Sequence, residues 1–378
     1  MIDKDGTGFP FRKARRKPVK KNAKEQNPRL GKVGGSAVLE GVMMRAGDLC
    51  AVACRREDGS IAVREKRFSS VRKKHKLLDL PIIRGIVGFI ESLVLSYSCL
   101  AASADVMGAV EEESKFEKAF KKKLGIRFFD VLMVVAAVLG VLLALGLFLA
   151  LPRMIAGWIE SLAGVEFGHW KSAIEGGFKV LIFIVYLLLV SLMKDIRRTF
   201  EYHGAEHKSI ACYEAGDELT PEAARKYTRF HPRCGTSFMF VMILLGVLLG
   251  FVINAAFPGL PTILYTLIRV LLLPIVVGIG YEFIRFAGSH DNLLVRLLAA
   301  PGLWMQRITT REPDDAQLEV ALLSLQYALV EEFPDLDRAA LLDLPAASPN
   351  AEETVATEET AETVETAETE DNGDGSAE

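Results

Sequence analysis

Thr236-Ser-Phe-Met-Phe-Val-Met-Ile-Leu-Leu-Gly-Val-Leu-Leu-Gly-Phe-Val-Ile-Asn-Ala-Ala-Phe257 runs for 22 residues without an ionisable side chain. As a helix rising about 1.5 Å per residue it reaches roughly 33 Å, enough to cross the hydrocarbon core of a bilayer. Three other runs meet the same test: Phe128–Leu151, Gly177–Met193 and Thr262–Ile284. Gly177–Met193 is short, so it is expected to continue as a helix beyond the hydrocarbon. Thr262–Ile284 contains Arg269 and Pro274, and Arg269 should face protein rather than lipid. The chain therefore reads as a mainly α-helical polytopic membrane protein with about four transmembrane helices, occupying 128–284.

Loop charges orient these spans. The 194–235 loop holds eight Lys/Arg, whereas 152–176 holds only Arg153 and Lys171, and 258–261 holds none. By the positive-inside rule the 194–235 loop and both termini are cytoplasmic, in a bacterial inner membrane. The net charge of −3 hides a segregation: residues 1–76 carry 21 Lys/Arg against 8 Asp/Glu, and 350–378 carry 11 acidic residues and no basic ones. Residues 1–33 are expected to be a disordered basic tail, drawn to anionic lipid, the ribosome or the translocon rather than to DNA. They are not read as a signal peptide, because no apolar core and cleavage site follow. The Ala-Glu-Thr repeats make 334–378 a disordered acidic tail. Five scattered cysteines argue against a disulfide framework.

Between these tails lie two less regular regions. Asp58-Gly59 separates two alternating runs, Leu49–Arg56 and Ser60–Arg67, a strong hairpin signal. With Ala37–Met44 as a further strand, 34–76 reads as a small cytoplasmic β-rich subdomain. Leu77–Met107 is apolar but carries Arg84, Glu91 and Asp105 between basic flanks at Arg72-Lys-Lys74 and Lys121-Lys-Lys123. The region 77–127 is therefore expected to lie along the membrane, to dip in and return, or to pack as a soluble helix, rather than to span. After the last span, 285–333 reads as a cytoplasmic helical segment. Pro313 and Asp314-Asp315 mark a helix start, and apolar spacing runs from Leu318 to about Glu332.

The chemistry concentrates in the 194–235 loop, where His203, His207 and His231 fall within 29 residues. His203-Gly-Ala-Glu206-His207 sets two imidazoles at i and i+4, one helix face, about 5–6 Å apart. This is the inverted zinc-hydrolase pattern H-x-x-E-H. His203 and His207 would hold a divalent metal, with zinc the candidate, while Glu206 serves as the catalytic proton carrier. His231-Pro-Arg-Cys234 adds two soft ligands at the mouth of the next span, and Glu214 and Glu282 are alternative ligands. Thr220-Pro221 looks like a cap and first position of a helix to about Arg229, returning the chain toward the first histidines. Three protein ligands would leave a catalytic position open; four would make the site structural. Hydrogen-bonded support for a juxtamembrane loop is the competing reading of the same residues.

Glu201-Tyr-His-Gly-Ala-Glu-His-Lys208 and His231-Pro-Arg-Cys-Gly-Thr-Ser237 resemble the signatures of the YqhQ-like family of bacterial and plastid membrane proteins of unknown function. The likeness extends to Gly34-Gly-Ser-Ala-Val-Leu-Glu-Gly-Val-Met-Met-Arg45, Pro81-Ile-Ile-Arg-Gly85 and Thr309-Thr-Arg-Glu-Pro-Asp-Asp315, over about residues 32–330. Ser36 stands where glutamine is expected in many relatives. The resemblance implies a predicted metal-dependent membrane enzyme, a description that itself derives from the histidine motif. Three function classes follow from the whole: a metal-dependent hydrolase, a non-catalytic assembly factor at the translocon or ribosome, and, least supported, a transporter prompted by Arg269.

Overall fold

The computed structural model describes residues 27–107, 128–289 and 293–342. Most of the basic tail, the Lys121-Lys-Lys123 flank and the acidic tail from residue 343 lie outside the described residues. The described chain is mainly helical, with one antiparallel sheet near its start.

The hairpin signalled by Asp58-Gly59 forms. Strands β3 (Leu49–Arg55) and β4 (Ile61–Arg67) pair antiparallel with Ala53 opposite Val63. The run Ala37–Met44, expected as one strand, instead contains a tight turn at Leu39–Glu40 between β1 (Val33–Val38) and β2 (Gly41–Ala46). Glu40 has φ 46, a conformation usually given to glycine or asparagine. Its carboxylate is held by Arg198 and, at 3.4 Å, by the Tyr202 hydroxyl, so distant partners support a turn that local chemistry does not announce.

The four strands form a meander in the order β1-β2-β3-β4. Strand alternation sends Val42, Met44, Ala51, Ala53 and Val63 to one face, and Met43, Cys50, Val52, Cys54 and Ala62 to the other. Both sets are buried. The first face packs under α5 (Lys194–Ala215) and α9 (Asp315–Ala328). The second packs against Leu95, Cys99 and Val106 of α1 (Ile83–Val106). Asp314 and Gln317 close a capping box at the start of α9, worth about 1 kcal/mol. Leu318, Leu322 and Leu325 are fully buried, and cutting any one to alanine should cost about 2–5 kcal/mol.

Among the described residues, five helical segments are long and apolar enough to cross a membrane: Ile83–Val106, Val138–Ala163, Lys171–Val190, Phe238–Ala256 and Thr262–Phe283. The first brings the number to five where about four were expected. Val138–Ala163 comprises the end of α2 (Phe128–Leu145), a π turn at Gly146–Ala150, and α3 (Leu151–Ala163). The other three are α4 (Lys171–Val190), α6 (Gly235–Ala256) and α7 (Thr262–Ser289). Helix α8 (Leu293–Thr309) packs along α6 and leads into the sheet region.

Arg269 is buried, as the apolar run around it requires. Glu175 on α4 lies between Arg153 at 3.0 Å and Arg269 at 3.4 Å, and accepts from the Tyr265 hydroxyl at 3.3 Å. This shared carboxylate meets part of the cost of placing two guanidiniums among apolar helices. A second fastening joins α1 to α7: Arg84 pairs with Glu282, and Gly85 lies so close to Gly278 and Tyr281 that a Cβ would not fit.

The expected straight continuation of the third segment into the polar loop does not occur. Helix α4 ends at Val190, Met193 is extended (ψ 133), and α5 begins afresh at Lys194. The break lets α5 lie against the sheet. The expected helix over 221–229 is one turn, Pro221–Ala224, with the Thr220 side chain accepting from the Ala223 N–H.

Candidate metal centre

Helix α5 is polar in composition, yet Gly204 to Ile210 is buried without a gap. Such a stretch must be enclosed on every side, and its ionisable members need partners. Strands β1 and β2 cover one side. The extended segment after α8 covers another, with the Arg311 N–H donating to the Phe200 carbonyl at 2.8 Å. That crossing requires Gly204, because a Cβ there would meet the Arg311 carbonyl. The loop leading into α6 covers the third side.

The two motif histidines are fixed through backbone carbonyls. His203 Nδ1 lies 2.9 Å from the Thr309 carbonyl, and His207 Nδ1 lies 2.6 Å from the Arg229 carbonyl. A carbonyl only accepts, so both Nδ1 atoms carry the proton, which leaves Nε2 as the atom each ring can offer to a metal. His203 Nε2 lies 3.2 Å from Cys234 Sγ, and Cys234 also interacts with His207. One ligand atom each from His203, His207 and Cys234 lies within 4.8 Å of the others. Burial pushes the His207 imidazole below its ordinary value, which keeps it in the neutral, ligating form. A backbone acceptor on the second ring nitrogen is also the usual support of a ligating histidine.

His231 stands beside this group, not in it. Its ring lies 5.5 Å from that of His207, but Nε2 faces Glu214 at 3.9 Å. Its backbone is gripped on both sides by Gln306, which accepts from the His231 N–H and donates to its carbonyl, each at 2.8 Å. The grip sets the loop three residues before Cys234. Glu214 binds Arg233, His231 and the Gly31 N–H; burial opposes its ionisation, yet these bonds hold the carboxyl at about 2. Glu282 is engaged by Arg84, away from the histidines.

Glu206 is 5 % exposed and packs where a Cβ on Gly35 would be, 2.8 Å from its Cγ. Burial pushes its carboxyl up, and the charges it senses are His203 and His231. Lys208 is also buried, with Nζ donating to the Arg225 carbonyl at 3.1 Å and pairing with Glu312. Sequence reading missed Gln306, Arg229 and Thr309. The last two act through main-chain oxygens, which no residue pattern signals. Gln306 had a signal in principle, a polar side chain within the apolar face of α8.

The family model described as "Protein of unknown function (DUF1385)" matches residues 80–331, which include His203, Glu206, His207 and Cys234. The chain is 34% identical over 303 residues to "Uncharacterized protein YqhQ" of Bacillus subtilis (strain 168), covering 78% of this chain and 92% of that protein. No solved structure matches the chain.

Proposed function

We propose that the chain, a member of the DUF1385 family of proteins of unknown function, is a multi-pass membrane protein with a metal-dependent, hydrolase-like centre at the cytoplasmic membrane surface. The observation that carries this reading is the convergence of His203 and His207 on Cys234 with both Nδ1 atoms already committed to carbonyls. Two imidazoles and a cysteine sulfur, which ligates as the thiolate, suit zinc, and three protein ligands leave a fourth position for water or substrate. Bound there, a divalent ion supplies charge stabilisation at the attacked oxygen. His203 and His207 orient it. Glu206, buried next to His203, takes a proton from the attacking water and returns it to the leaving group.

The membrane reading rests on the five apolar helices, and α1 decides how many of them cross. Along α1, Glu91 accepts from the Ser70 hydroxyl, the Ser98 carbonyl accepts from Lys66 at 3.0 Å, and Asp105 pairs with Arg64 at 3.1 Å. Those contacts fasten about 10 Å of helix to β4 and a further stretch to the Ser70 segment after it, and an open sheet edge does not sit in hydrocarbon. Helix α1 thus lies at the surface, with Leu93, Val94 and Tyr97, each more than half exposed, turned to lipid. Four spans remain, and the basic 194–235 loop then puts both termini in the cytoplasm of a bacterial cell. Elemental analysis of purified protein tests the centre: about one divalent ion per chain in wild type, and none in His207→Ala. A wild-type chain without metal after loading would turn the site into the hydrogen-bonded support of an assembly factor.

A further inference from the structure

A cavity of about 430 Å³ opens beside the centre, lined by Arg197, Arg229, Arg307, Arg311, Glu201 and Glu312. It shares its walls with the histidines: the Arg229 carbonyl accepts from His207, and Arg229 donates to the carbonyl of Thr310, next to the Thr309 that receives His203. Its charges do not balance. Arg197 is 3.6 Å from Glu201, and Arg229 is 3.6 Å from Glu312, which Lys208 also claims. Arg307 and Arg311 have no carboxylate among the described residues, and Arg311 Nε is buried without a hydrogen-bond partner. Part of the lining is apolar: Leu188 and Ile308 contribute to it, and Leu188, Leu192 and Met193 are exposed at the end of α4. Guanidiniums without partners form a fork suited to phosphoryl oxygens, and an adjoining apolar surface suits acyl chains.

We propose that this cavity binds the phosphoryl group of a membrane amphiphile, with Arg307 and Arg311 on the phosphoryl oxygens and the chains along Leu188 and Leu192. As a substrate site it rests on the metal-centre reading; as a binding site it does not. A soluble phosphate would offer the same oxygens without the chains. The test is thermal unfolding of the detergent-solubilised full chain titrated with dihexanoyl phosphatidic acid, dihexanoylglycerol or inorganic phosphate. Wild type is stabilised saturably by the phosphatidic acid and not by the diacylglycerol, and it binds inorganic phosphate at least tenfold more weakly. Arg307→Gln, on an exposed side chain, and Arg311→Gln each weaken phosphatidic acid binding about tenfold, while the remote Arg338→Gln does not. Unchanged binding in both pocket variants, or equal stabilisation by the diacylglycerol, overturns the phosphoryl site. Inorganic phosphate binding as tightly as the lipid overturns the amphiphile. Retained binding by metal-free His207→Ala supports the cavity independently of the metal centre; loss of binding there, with the fold intact, overturns that independence.

Discussion

The carbonyl of Arg311 occupies the space that a Cβ on Gly204 would need, so the segment after α8 crosses α5 in direct backbone contact between the two motif histidines. Gly204→Ala should push that segment away and with it the Thr309 carbonyl that holds His203. A loss of about 1–3 kcal/mol is expected, measured by thermal unfolding, together with reduced metal content. A variant as stable as wild type would mean the crossing is looser than described.

Glu206 is 5 % exposed and burial pushes its carboxyl up, an arrangement that costs stability. Glu206→Gln keeps the shape and removes the ionisable group. We expect unfolding temperature unchanged or raised, metal content unchanged, and any hydrolytic turnover lost. A clear fall in stability would show that the carboxylate serves the fold.

Glu214 contributes a pH dependence of its own. Its folded value of about 2 lies below its ordinary 4.5, so its contribution is fully present above about pH 5 and is lost as pH falls toward 2. Glu214→Gln should be less stable than wild type by on the order of 2 kcal/mol at pH 7. The difference should narrow steadily between about pH 5 and pH 3. A gap constant over that range would remove the ion cluster with Arg233 and His231 as its cause.

Orientation is read by labelling. Cysteine placed at Glu166, between α3 and α4, should react with a membrane-impermeant maleimide in intact cells, and cysteine at Glu218 only after lysis. The native cysteines interfere little, since Cys50, Cys54, Cys99 and Cys212 are buried. The reverse pattern would invert the topology.

Sequence pattern made the long apolar helices and the Asp58-Gly59 hairpin legible, because both signals are local. Helix α1 was ambiguous for the opposite reason: Arg84, Glu91 and Asp105 interrupt its apolar run, and their partners Glu282, Ser70 and Arg64 come from elsewhere in the chain. The turn at Glu40 was hidden because Arg198 and Tyr202 hold it. At the site, the spacing of His203 and His207 was visible. The arrangement that brings Cys234 to them and turns His231 to Glu214 depends on the Gln306 grip, a contact across 75 residues.

The central claim, that His203, His207 and Cys234 hold one divalent ion, is tested most directly by cobalt substitution followed by absorption spectroscopy. Wild type and His231→Ala should bind one Co²⁺ per chain with a thiolate-to-cobalt charge-transfer band. Cys234→Ser should lose that band, and His207→Ala should lose the ion. A band that survives in Cys234→Ser, or vanishes in His231→Ala while His207→Ala keeps its cobalt, would contradict the ligand set.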